Sequence, residues 1–358
     1  MASGCEDENC GHASVFPEDC LDQECHLEEP VFGLIELGGI SDKNISIFHI
    51  LVCVTVIYIP LMLFGFLGNT LTILVVWLRP HMRSSTYLYL SSMAVSDLLI
   101  LLLLPLDLYK LWRPRPWPLG DLACKMTMFL SECCTFCTIL HITFLSLERY
   151  LAVCWPIMAK TLLTRRRTRT LIGCLWLGAA VSAAPVLLMG GGREEGDIDN
   201  RECRCTHYAV SSGLLSAMMV VSNLYFLVPL CILGLVYSLI GRTLCLRPQS
   251  SRRDQSHRHT VKMLGVIVLA FVLCWLPFHV GRTIFFFSMG TVSEGQEGHM
   301  DTDYFNLVSS VLFYLSAAVN PLLYNLMSEK YRHTVRSLVH TQSRRLHTLT
   351  TRHSTTTL

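Results

Sequence analysis

Charge is what this chain is shortest of. Asp, Glu, Lys and Arg make up 16% of its 358 residues and hydrophobic types 51%, where a soluble domain carries about 25% charge. Much of its surface must therefore face something other than water, which excludes the two or three soluble domains that the length would allow. Also missing are a Gly-rich phosphate loop, a metal-ligand spacing and a nucleophile elbow. Their absence removes the common nucleotide-hydrolysing, metalloenzyme and hydrolase readings. At mid-membrane depth stands one carboxylate, Asp97, with no second to form a catalytic pair, so the chain reads as no enzyme. No inverted repeat of broken helices splits it into halves, as a secondary transporter would need. Met1–Phe16 lacks a basic stretch followed by an apolar core, so no cleavable signal peptide is expected and the first membrane helix would target the chain. No cysteine follows Cys274, which leaves the C-terminal tail without a thiol for a lipid anchor.

Long apolar runs are what the chain does have. A spanning helix needs about 20 predominantly apolar residues. Seven runs qualify: Ile47–Leu78, Leu88–Leu111, Ala123–Trp155, Thr170–Met189, Ala209–Leu239, Val261–Phe287 and Phe305–Met327. The expected fold class is an all-α membrane protein, a seven-helix bundle spanning 47–327. Cations gather in the loops after the first, third and fifth runs, as in Arg165, Arg166, Arg167 and Arg169. These loops and the tail should be cytoplasmic. The loop after the second run, with Lys110, Arg113 and Arg115, is a weaker exception. Residues 1–46 then form an extracellular acidic tail. It carries Asn44-Ile45-Ser46, a glycosylation sequon close to the membrane. The expected location is the plasma membrane, with the N-terminus outside.

Cysteines inside the runs, such as Cys133, Cys134 and Cys137, read as small packing residues. On the oxidising outer side, a bridge from Cys124 to Cys203 would pin the loop before the fifth run, with Cys205 as the alternative partner. Cys5, Cys10, Cys20 and Cys25 suggest disulfide staples in the acidic tail rather than a zinc site. Residues 328–340 are basic and amphipathic and should lie as a short helix on the inner leaflet, touching membrane lipid. Residues 341–358 are rich in Ser and Thr, and their phosphorylation would present an anionic patch to an arrestin.

Polar residues inside membrane helices are costly, and each is a functional candidate. Asn69, Asp97, Glu148-Arg149-Tyr150, Trp176, Trp275 with Pro277, and Asn320-Pro321 with Tyr324 fall one set per run, in order. Together they resemble the signature set of rhodopsin-like G-protein-coupled receptors, over roughly Phe48 to His340. The resemblance implies that Glu148 pairs with Arg149 to hold an inactive state and that the released Arg149 meets a heterotrimeric G protein. It implies a sodium pocket of Asp97, Thr138 and Asn320 as an allosteric ion site, with no other cofactor. It implies a switch at Trp275 that repacks with Phe271, while Pro229, Tyr237 and Tyr324 move with it. Trp176 reads as a packing ring.

The seventh run has no Lys to hold retinal, and Ser131 stands where aminergic receptors resemble one another in an Asp. Glu132, Arg282 and Asp107 instead put charge in the outer half of the bundle, and Phe278 lies one turn inside Arg282. Glu132 and Arg282 are within pairing reach and could divide a pocket in which a peptide amine meets a carboxylate. The alternative is a purely structural ion pair. Leu88–Ile100, Leu111–Trp117, Tyr237–Arg242 and Cys274–Arg282 resemble the ghrelin and motilin receptor family. His141, Tyr304-Phe305-Asn306 and the tail cysteines lean to its motilin branch, while Ser212-Gly213-Leu214-Leu215 and the short loop before the fifth run lean to the ghrelin branch. The expected activity is that of a gut-peptide hormone receptor, read as motilin receptor-like with a ghrelin-like ligand as the alternative. Its signalling would run through phospholipase C and calcium, and no nucleic acid is involved.

Overall fold

Inside a bilayer, a lone segment satisfies all its backbone hydrogen bonds only as a helix. The computed structural model describes residues 42–113, 117–192, 203–246, 252–289, 298–327 and 331–338, and they are overwhelmingly helical. In chain order the helices are α1 (Asp42–Leu78), α2 (Ser85–Trp112), α3 (Gly120–Cys154), α4 (Pro156–Leu162) and α5 (Arg165–Ala183). Next come α6 (Val186–Met189), α7 (His207–Ser211), α8 (Leu214–Leu246), α9 (Arg252–Met289) and α10 (Gly298–Met327). Residues 331–338 form α11. Six helical segments are long and apolar enough to cross a membrane, and the shorter apolar stretch Leu307–Leu323 of α10 supplies the seventh. α3 is the most enclosed of the spans and α1 the least. The core between them is aromatic: Trp275, Tyr58, Tyr89, Tyr314, Phe136 and Phe226 are among its largest fully buried side chains.

The boundaries depart from the apolar runs for local reasons. α1 begins at Asp42, not near 47, so the backbone of Asn44 lies in its first turn and the tail is correspondingly shorter. A carboxylate in a first helical turn is favoured by the helix dipole, which an apolar search does not see. The fourth run breaks into α5 and α6 at Ala184-Pro185, where the proline ring crowds the preceding turn. The fifth run does not start at Ala209. That residue belongs to α7, and Gly213 at φ +70° turns the chain before α8 begins. At its other end, α9 reaches back to Arg252 through polar residues. The all-helical expectation also misses a small antiparallel pair, β1 (Gly190–Gly192) with β2 (Cys203–Cys205), in register Gly190 to Cys205 and Gly192 to Cys203.

Close approach of α1, α2 and α10 depends on small residues, as is common between membrane helices. A Cβ on Gly65 would stand 2.7 Å from Leu101 Cδ1 and 3.1 Å from the backbone of Ala318. On Gly68 it would stand 2.8 Å from Pro321. At the far end, α11 packs Val335 and Leu338 on the core and aligns three hydroxyls with the α1 terminus. Tyr331 bonds Thr72 at 3.0 Å, Thr334 faces His81 at 3.5 Å, and Ser337 accepts from Arg79 at 3.3 Å. Burial raises the Tyr331 phenol above its usual range, against the pull of the Thr72 bond.

Candidate ligand pocket and switch network

The Cys124–Cys203 disulfide closes one end of the bundle, tying α3 to β2 with a Cα–Cα distance of 5.5 Å. Cys205, the other expected partner, is not bonded to Cys124. Beneath this end, Glu132 of α3 and Arg282 of α9 form an ion pair, their side chains 4% and 10% exposed. Arg282 also directs Nε to Met219 Sδ at 3.1 Å and holds its guanidinium over the Phe278 ring at 5.8 Å. Burying two charges is repaid only when their remaining atoms are also bonded. Here Glu132 Oε2 has no hydrogen-bond partner among the described residues, and neither have Ser222 Oγ, His279 Nε2 or Trp275 Nε1. These buried polar atoms belong to three helices, α3, α8 and α9.

Below that pair lies an aromatic floor. Phe278 meets Trp275 edge-on at 5.8 Å, Trp275 meets Phe313 at 5.1 Å, and Phe271 sits 5.9 Å from Trp275. His279 stacks on Phe226 at 4.4 Å. Asp107 belongs to a second centre, between α2 and α10, where it accepts from the Tyr314 hydroxyl and faces Lys110 Nζ at 3.6 Å. Ser131 is buried, and its carbonyl accepts from Thr135 at 2.8 Å. The charges expected in one divided pocket therefore occupy two centres. Met219, Ser222, His279 and Tyr314 join them without having been singled out in the sequence. His279 lies two residues past Pro277, and Tyr314 lies within Phe313–Ala317, a stretch that also resembles the receptor family.

Further in, Asp97 accepts from Asn320 Nδ2 at 2.9 Å, while Asn69 Nδ2 donates to the carbonyls of Gly65 and Ala317, each at 2.9 Å. Asn69 Oδ1 is buried and unbonded. Thr138, expected beside Asp97, bonds Ser96, the residue before it, at 2.8 Å. The unbonded amide oxygen and the singly bonded carboxylate are hard oxygen donors of the kind a small cation takes. Trp176 donates to Ser92 at 2.9 Å, which fits its reading as a packing ring.

At the opposite end, Glu148 does not pair with Arg149. Its carboxylate accepts from Ser85 and from Tyr89, the latter at 3.0 Å, and Ser85 in turn bonds Thr168 at 2.8 Å. Residues adjacent in a helix do not face each other, so Glu148 turns toward α2, while the Nε of Arg149 is buried with no hydrogen-bond partner among the described residues. Tyr150 is half-buried, and Tyr237 lies 3.4 Å from Ser146. Pro229, Pro277 and Pro321 are carried inside α8, α9 and α10. The Tyr324 side chain, the Asn44 side chain, the tail cysteines and residues 339–358 lie outside the described residues.

Comparison with known proteins follows the same outline. A family model described as "7 transmembrane receptor (rhodopsin family)" matches residues 68–324. The growth hormone secretagogue receptor type 1 of Sus scrofa is 50% identical over 297 residues, covering 80% of this chain and 80% of its own length. Its Homo sapiens counterpart is 48% identical over 307 residues, 82% of this chain and 83% of the relative. The motilin receptor of Homo sapiens is 41% identical over 333 residues, 79% of each chain.

Proposed function

The chain belongs to the rhodopsin family of seven-transmembrane receptors, and from that premise we propose that it is a peptide-hormone receptor that activates a heterotrimeric G protein. As a member of that family it is a multi-pass plasma-membrane receptor and not an enzyme. The proposed orientation puts the disulfide end outside and the basic loops in the cytoplasm. The observation that carries the ligand reading is the Glu132–Arg282 pair with its unbonded Oε2. A carboxylate with one oxygen unsatisfied in a buried site favours a ligand that brings a hydrogen-bond donor, such as a peptide amine.

Two ligands follow from the relatives. Motilin is supported by a 41% identical receptor named for it, and a growth hormone secretagogue of the ghrelin type by receptors at 48–50% identity. The higher identity favours the second. Signalling through phospholipase C and calcium, arrestin recruitment by a phosphorylated tail and sodium at Asp97 belong to the same proposal. Asp97 and Asn320, with the Asn69 oxygen, are the residues that would hold the ion.

The test is intracellular calcium in cells expressing the full chain, challenged separately with motilin and with acylated ghrelin, with Glu132→Gln alongside. A response to either peptide at nanomolar concentration supports the peptide reading and selects its branch, and Glu132→Gln should shift it at least tenfold with surface expression unchanged. Silence to both peptides in expressing cells would sink the ligand reading while leaving the family intact.

A further inference from the structure

The described residues hold a cavity of about 500 Å³ far from the ligand pocket, between the charged end of α3, the short helix α4 and the start of α5. That volume falls within the range of roughly 300–1,000 Å³ typical of small-molecule sites. Its lining is sorted along the bundle axis. α3 runs toward the charged end and α5 runs back from it, so Phe144 and Leu171 line the part farther from that end. Glu148, Arg167 and Thr168 line the part nearer to it. Leu162 and Leu163, at the end of α4, close the side.

The exposed charge decides what kind of molecule fits. Glu148 is a carboxylate but a buried one, with both oxygens already accepting hydroxyls, from Ser85 and Tyr89. Thr168 is buried and bonded to Ser85. Arg167 is exposed and gives Nη1 to the Thr161 carbonyl at 3.0 Å, which leaves a guanidinium with five N–H groups well short of its donor capacity. Lys160, Arg165 and Arg166 are also exposed, on the same α4–α5 stretch of chain. A cationic head group would be repelled by Arg167, whereas an anionic one would be drawn to it.

We infer that this cavity binds a long-chain fatty acid from the inner leaflet, its acyl chain between Phe144 and Leu171 and its carboxylate at Arg167. An apolar slot of this size takes one chain rather than two, which favours a fatty acid over a diacyl phospholipid. Bound there, it would brace α4 and α5 around the Glu148–Tyr89–Ser85–Thr168 bonds and so bias the switch end of the receptor. The inference stands apart from the peptide reading and does not depend on it.

The experiment uses the full-length receptor in nanodiscs of neutral phospholipid, labelled with a photoreactive palmitate analogue and mapped by peptide mass spectrometry. Label should concentrate on residues 144–171 and be competed at least tenfold better by oleate than by methyl oleate or oleylamine. Leu147→Trp, which fills the cavity, should cut labelling at least tenfold. Leu171→Trp does the same from the α5 side if the first variant expresses poorly. Label spread evenly over the lipid-facing helices, or methyl oleate competing as well as oleate, would overturn the site. Dioleoylphosphatidate displacing the label as well as oleate does would overturn the choice of a fatty acid.

Discussion

At the residue scale, Arg282 has three tasks: it neutralises Glu132, touches Met219 and lies over Phe278. Removing one partner of a buried pair leaves the other charged without compensation, a cost of about 3–5 kcal/mol. Arg282→Ala should therefore lower the thermal unfolding midpoint of the solubilised receptor sharply, and Glu132→Gln with Arg282→Met should recover most of the loss. If the double variant is no more stable than the single one, the pair is not the source of the stability. Asp97 is a second case. Its only described side-chain bond is to Asn320, so Asp97→Asn should abolish any sodium dependence of agonist binding. Persistence of that dependence in a filtration binding assay would place the ion elsewhere. Glu132, Arg282, Asp97 and Asn320 were all legible in the sequence as charges or amides where lipid should forbid them. Their partners were less so. The family resemblance implies that Glu148 pairs with its neighbour Arg149, whereas the hydrogen bonds of its carboxylate come from Ser85 and Tyr89, some 60 residues away on α2.

At the element scale, apolar length located the seven spans, since a bilayer imposes length and composition together. It did not locate their ends, which are set by single residues acting on the backbone: Pro185 breaking the fourth span, Gly213 delaying the fifth, a polar stretch extending α9. The small-residue contacts of α1 were equally invisible, because a glycine in a sequence does not say what it approaches. Gly68→Val should cost about 1–3 kcal/mol through the clash with Pro321. It should appear as reduced surface expression and a lower unfolding midpoint, with Gly234→Val, whose Cβ would meet nothing within 4 Å, as the control. α11 is fastened by side chains at three consecutive turns. A neutral hydrogen bond contributes about 1 kcal/mol net. Tyr331→Phe, which removes the Thr72 bond, should thus speed amide exchange over 331–338 about fivefold, and unchanged exchange would mean that the apolar contacts of Val335 and Leu338 hold the helix without it.

Across the whole molecule, two polar systems stand at opposite ends of the bundle. The Glu132–Arg282 pair rests on Phe278 and Trp275, and Glu148 with its hydroxyl partners closes the other end. Between them, Asp97 and Asn320 join α2 to α10. A receptor must carry information along this axis, and unbonded atoms at both ends, Glu132 Oε2 and Arg149 Nε, mark where a partner's arrival would change the balance.

The Cys124–Cys203 bond spans 79 residues of sequence, and everything between its ends is a closed covalent ring. That ring contains α4 and α5 and hence the arginines at 165–167, whereas Arg252 lies outside it. Trypsin reaching the basic face should therefore produce two different outcomes. A nick at 165–167 opens the ring without releasing either part, so the chain migrates as one band until a reductant is added. A nick at Arg252 separates the pieces whether or not a reductant is present. The same protease, on the same face of the protein, would report on a single sulfur–sulfur bond at the other side of the membrane.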